Sequence, residues 1–98
     1  MNARSAILAV LANHGYRLPT RRLSFEASRL AYLPASVITA EIAAMVHGRL
    51  LEHGEIEVLD GKALSTRVVE TTSLTVAGVA HARGVAGGAA RPRREQRR

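Results

Sequence analysis

Residues 38–54 read ITAEIAAMVHGRLLEHG, and the way this stretch ends decides the fold. Stepped at about 100° per residue, it gathers Ile38, Ile42, Met45, Val46 and Leu50 on one side, which predicts a helix with a core-facing stripe. The other side carries Ala40, Ala44, His47, Gly48 and Leu51, with Glu41 at its edge. Arg49 falls near the core side, from which its long side chain snorkels outward. Ser36 or Thr39 is placed to cap the start, and Gly54 to close the end. The period then changes. EIEVLDG at 55–61 alternates, with Ile56 and Val58 on one face, as a strand does. Asp60-Gly61 is a hairpin signal. STRVVETTSL at 65–74 is rich in β-branched residues and reads as the return strand. The hairpin tip lies between about Leu59 and Ser65.

Working toward the N-terminus, Asn2 caps a first helix over residues 3–13, whose apolar stripe is Ile7, Leu8, Val10 and Leu11. His14-Gly15 ends it, with Gly15 suited to a left-handed cap. Residues 16–18 form a short extended piece. Pro19 and Thr20 open a second helix that runs to about Tyr32 and buries Leu23, Ala27 and Leu30. Leu33-Pro34 breaks it, because a residue before proline avoids helical geometry. Working toward the C-terminus, Thr75 caps a short last helix over residues 76–83, which Gly78 weakens by about 1 kcal/mol relative to alanine. From Gly84 the chain is Gly-, Ala- and Arg-rich without periodicity. This predicts one domain over residues 1–84 and a disordered basic tail over residues 85–98.

Composition narrows the function. Ninety-eight residues, 47% of them hydrophobic, make one small core, and a single Phe, two Tyr and no Trp make that core aliphatic. The absence of cysteine excludes disulfides, thiolate metal sites and thiol chemistry, and fits a cytoplasmic protein. The apolar run at 6–12 is too short to span a membrane and reads as an amphipathic first helix, so no membrane partner is expected. The net charge is +6, and the last eight residues hold five Arg and one Glu, so the first ninety carry only +2. The basic tail attracts phosphate without reading sequence.

The predicted order is helix, short strand, two helices, hairpin, helix: mostly α with a small β-hairpin. GRLLEHGEIEV at 48–58 and SLTVAGVAHAR at 73–83 resemble, in their spacing, the winged helix-turn-helix domains of bacterial and phage transcriptional regulators. The first stretch resembles that family's third helix running into the wing. The second resembles its end of wing and final helix. The resemblance covers roughly residues 3–83. It implies three helices, a wing and a short C-terminal helix, with the third helix in the major groove of duplex DNA and the wing on the backbone.

The residues themselves divide two readings. For DNA binding, Arg21, Arg22, Lys62 and Arg67 are the candidate phosphate contacts, joined by Arg91, Arg93, Arg94, Arg97 and Arg98 of the tail. Thr39, Ala40 and Ala44 are the candidate base readers, yet none has the paired hydrogen-bonding groups that base edges favour. For protein binding, helix two presents Arg21, Phe25, Ser28, Arg29 and Tyr32 outward, an aromatic–basic stripe that suits a contact. The spacing of Ala40, Ala44 and Gly48 lets another backbone approach, whether within the domain or from a second copy.

No histidine of His14, His47, His53 and His81 has a partner at metal-ligand spacing, and no phosphate loop or nucleophile motif is present. Enzyme activity, a metal and a cofactor are therefore not expected. The leading expectation is a small winged-helix DNA-binding regulator in the cytoplasm that dimerises to multiply weak contacts. The rival is a winged-helix interaction module.

Overall fold

Among the described residues, four helices and a three-stranded antiparallel sheet follow in the order α1 (Ala3–Asn13), β1 (Arg17–Pro19), α2 (Thr20–Ala31), α3 (Ala35–His47), β2 (Leu51–Asp60), β3 (Ser65–Leu74), α4 (Val76–Ala90). The computed structural model describes residues 1–62 and 65–90, the last six of these as helical backbone only. Ala63 and Leu64 of the hairpin tip, and the arginines of residues 91–98, lie outside the described residues.

Helix α1 starts as its sequence dictates: the Asn2 side chain accepts a hydrogen bond from the Ser5 N–H at 2.8 Å. The first three helices stop in one way. Gly15, Tyr32 and Arg49 each take a left-handed conformation, with φ of 72°, 56° and 63°. The residue after each donates its N–H five residues back: Tyr16 to Leu11, Leu33 to Ser28, Leu50 to Met45. This satisfies carbonyls that a helix end would otherwise orphan.

The end of α3 corrects the sequence reading. Arg49 does the work expected of Gly54, so the helix stops at His47 and β2 starts at Leu51. Leu51, expected on the exposed side of a helix, is instead buried opposite Leu74 in the sheet. Nor does Ser36 or Thr39 cap α3; the Pro34 carbonyl accepts from Val37 and Ile38 at its start. Leu30, expected in the core, is exposed. Helix α4 continues past Gly84 to Ala90, into residues read from sequence as tail.

The sheet order is β1-β3-β2. Leu18 lies opposite Thr72, and Leu51 opposite Leu74, so one face of the sheet closes the core under α1, α2 and α3. Ile7, Leu11, Leu23, Ile38, Met45 and Leu51 are its largest fully buried apolar side chains. The Arg4 guanidinium binds Glu41 at 2.7 Å and ties α1 to α3. Among the described residues no single helix is long and apolar enough to cross a membrane.

Helix α4 joins the end of α3 through Thr75. Its hydroxyl donates to the Arg49 carbonyl at 2.7 Å and accepts from the Gly78 N–H at 2.9 Å. Its own N–H donates to the Leu50 carbonyl. Gly78 is packed so closely that a Cβ would lie 2.0 Å from the Leu50 oxygen and 2.9 Å from Leu74 Cδ2. Helix propensity alone favours alanine here by about 1 kcal/mol. Packing reverses the sign: Gly78→Ala should destabilise the fold by about 1–3 kcal/mol. Gly84→Ala, where a Cβ meets nothing within 4 Å, should be neutral or stabilising. Urea midpoints of the two variants check this.

Candidate phosphate-binding groove

Pro19 ends β1 and leads directly into α2. Its ring suits φ −53° and it carries no N–H to lose. No side chain caps the start of α2, and no acidic residue lies in its first turn. The N–H groups there, with the positive end of the helix dipole, are open to an anion. The junction is held on the sheet by hydrogen-bonded side chains. Thr20 Oγ1 meets Thr72 Oγ1 at 2.8 Å, and Thr72 Oγ1 meets His53 Nδ1 at 3.2 Å. Thr72 is fully buried, so this chain satisfies a polar group in the core.

That placement sets Arg21 and Arg22 across from the hairpin. A groove of about 640 Å³ runs between them, lined by Pro19, Thr20, Arg21 and Arg22 on one side and Val58, Arg67, Val68, Val69 and Glu70 on the other. Three of the sequence-predicted phosphate contacts, Arg21, Arg22 and Arg67, are thus brought to one place. Arg22 is partly engaged, since it pairs with Glu26 one turn on. Neither Arg21 nor Arg67 meets a carboxylate among the described residues.

Lys62 does not join them in that groove. It is exposed at the hairpin tip, where its backbone N–H donates to Asp60 Oδ1 at 3.1 Å. The hairpin as a whole is acidic: Glu52, Glu55, Glu57, Asp60 and Glu70 outweigh Lys62 and Arg67 to give −3. Residues 1–50 carry six Arg against Glu26 and Glu41, or +4. The composition contained this polarity, but only the pairing of β2 with β3 shows that the acids share one ribbon.

Thr39, Ala40 and Ala44 are exposed on α3, beside Val37, Ala43 and His47. The free face of α3 is there, but it carries no Lys or Arg, and Glu41 beside it is tied to Arg4. Gly48 is exposed just past the helix. Of the outward stripe, Arg21, Phe25 and Arg29 are exposed on α2, and Tyr32 is exposed just past its end. Phe25 is 60% exposed and Tyr32 94%. The Arg29 guanidinium carbon lies 5.6 Å from the Phe25 ring centre, within cation–π range. Ser28 turns inward and donates to the Leu33 carbonyl. Phe25 and Arg29 border a second, smaller groove with Val10, His14 and Leu30. No group of three or more His, Asp or Glu among the described residues is arranged to hold a metal.

Comparison with protein-family models finds no match for this chain, and comparison with curated proteins finds no relative.

Glu26 receives the Arg22 guanidinium and also lies 3.3 Å from His14 Nε2. The hydrogen bond from Arg22 holds its carboxyl below the ordinary carboxylate range, against a smaller upward push from burial. A carboxylate with a lowered folded-state pKa stabilises the fold above its unfolded value, about 4.3 for glutamate, and loses that contribution as pH falls through the folded value. Glu26→Gln should therefore be less stable than the parent near neutral pH, and the two should converge below about pH 4. Urea midpoints across that range read the difference.

Proposed function

We propose that this chain is a winged-helix protein that binds duplex DNA chiefly through phosphates, as a small transcriptional regulator of low intrinsic sequence specificity. The order of elements and the β1-β3-β2 sheet suit that layout. The observation that carries the function is the convergence of Arg21, Arg22 and Arg67 on one groove beside the uncapped start of α2. Arginine forks and free helix N–H groups are what phosphate oxygens seek. Lys62 reaches a neighbouring phosphate from the tip, and the five arginines of residues 91–98 add attraction that is independent of sequence. The exposed Thr39, Ala40 and Ala44 offer methyl groups to a major groove but no paired hydrogen bonds, which keeps base readout weak. Dimerisation on two half-sites would raise affinity without new contacts.

A second reading, a protein-binding module, draws on a different observation: Phe25 on α2 and Tyr32 just past its end are exposed aromatics, with Arg29 over the Phe25 ring. Such surfaces anchor protein contacts.

The salt dependence of binding to a random duplex separates the two. A chain truncated after Ala90 should bind DNA with a log–log salt slope of about −2 to −3. Arg21→Ala and Arg67→Ala should each reduce that slope by about 1. Phe25→Ala should leave it unchanged. Loss of all binding on removal of residues 91–98, with no effect of Arg21 or Arg67 in the full chain, would count for the second reading.

A further inference from the structure

Strand β1 covers only part of its neighbour. It pairs with Thr71, Thr72 and Ser73 and then stops, because Pro19 turns into α2. Strand β3 continues for six more residues, Ser65 to Glu70, with β2 on one side and no strand on the other among the described residues. The direction of its hydrogen bonds follows from one contact. The Leu74 N–H donates to Tyr16 O, toward β1. Backbone groups alternate along a strand, so those of Thr72, Glu70, Val68 and Thr66 face the β1 side, and those of Thr71, Val69 and Arg67 face β2. Val68 and Thr66 thus present backbone donors and acceptors to the groove beside α2.

The sheet has a second open edge, on β2, and the two differ in chemistry. The β2 edge carries Glu52, Glu55 and Glu57. Edge charges of this kind discourage pairing. The β3 edge carries one acid, Glu70, at the end nearest β1, and none from Ser65 to Val69. Val68 is 62% exposed, and Val58 and Val69 line the groove with it. Around these apolar side chains stand Arg21, Arg22 and Arg67 against a single carboxylate, Glu70, and Arg21 and Arg67 form no ion pair among the described residues.

We propose that the β3 edge over residues 65–70 is a docking site for an extended acidic peptide segment of a partner protein, which adds as a fourth strand. The backbone groups of Val68 and Thr66 supply the hydrogen bonds, as in strand addition to other open sheets. Valine-sized side chains of the partner pack on Val68 at one face of the sheet and on Val69 at the other. Carboxylates flanking them pair with Arg67 and Arg21. Opposite charges across a strand pair are favourable and like charges are not, so the groove selects an acidic strand. A second copy of this chain fits less well, since a two-fold pairing would bring two basic grooves together. The inference stands apart from the DNA reading and is tested without DNA. Its consequence for that reading is competition, because the acidic strand takes arginines proposed for phosphate.

The test uses the full chain and a fluorescent hexapeptide, Thr-Glu-Val-Val-Glu-Thr, blocked at both ends. Its symmetry allows either strand direction. Binding read by fluorescence anisotropy should be about tenfold weaker for the Lys-for-Glu version of the peptide, and for Arg67→Glu protein with the original peptide. Val68→Pro should weaken binding about tenfold and leave the circular dichroism spectrum unchanged, because its N–H faces the groove and proline is tolerated on an open edge. N-methylation of the peptide valines tests the same hydrogen bonds with the unaltered protein and should likewise weaken binding about tenfold. Equal binding of the N-methylated or the lysine peptide would overturn the proposal. So would self-association of the free chain that Val68→Pro abolishes, which would give the edge to a second copy.

Discussion

Proline 19 is the hinge of the architecture. A three-residue strand must pair with β3 and then turn at once into a helix, and proline allows both: it needs no hydrogen bond from its own nitrogen, and it favours the backbone geometry that enters α2. Leu18, one residue earlier, is buried. Thr20, one residue later, is bonded to the buried Thr72. The junction is thereby fixed from both sides. Leu23 and Ala27 then fall into the core, and Arg21 and Arg22 fall beside the hairpin. The groove, the uncapped helix start and the uncovered length of β3 all follow from where β1 has to stop.

The first three helices end in left-handed residues, and three of these, Tyr16, Tyr32 and Arg49, are not glycine. A left-handed Tyr32 or Arg49 costs about 1–2 kcal/mol relative to glycine, and the five-residue-back hydrogen bonds offset part of it. At Arg49 the turn has a second use. It aims the Leu50 carbonyl at the start of α4, where Thr75 and Gly78 close on it. The fold is therefore secured at two junctions, β1 to α2 and α3 to α4, each with a threonine hydroxyl bridging helix and neighbour. Charge is distributed around this frame with a clear sense: basic on the helices before residue 50, acidic on the ribbon after it.

Much of this could be read from residue types. Asn2 and Gly15 marked both ends of α1, Leu33-Pro34 marked the break after α2, and Asp60-Gly61 marked the hairpin tip. The sequence also placed Phe25 and Arg29 correctly on the outer face of α2, where the helical period is undisturbed; Tyr32 is exposed as well, but as the left-handed residue just past the helix. The end of α3 was hidden for a specific reason. Gly54 carries the expected terminator chemistry, whereas Arg49 has no sequence signature for a left-handed turn, so the apolar Leu50 and Leu51 read as more helix. The candidate site was legible only in pieces. Arg21, Arg22 and Arg67 stand out as basic residues, but their convergence depends on the register of β1 against β3. The open edge of β3 depends on the same register and has no local signal.

The DNA contact proposed for this chain lies in the basic groove beside α2 rather than on the free face of α3. Backbone amide shifts of the full chain, mapped by NMR as a short random duplex is added at low salt, test it most directly. The largest changes are expected at Thr20, Arg21, Arg22 and Arg67, with small ones on α3. Large changes at Val37, Ala40 and Ala44, with Arg21 and Arg67 unmoved, would contradict it.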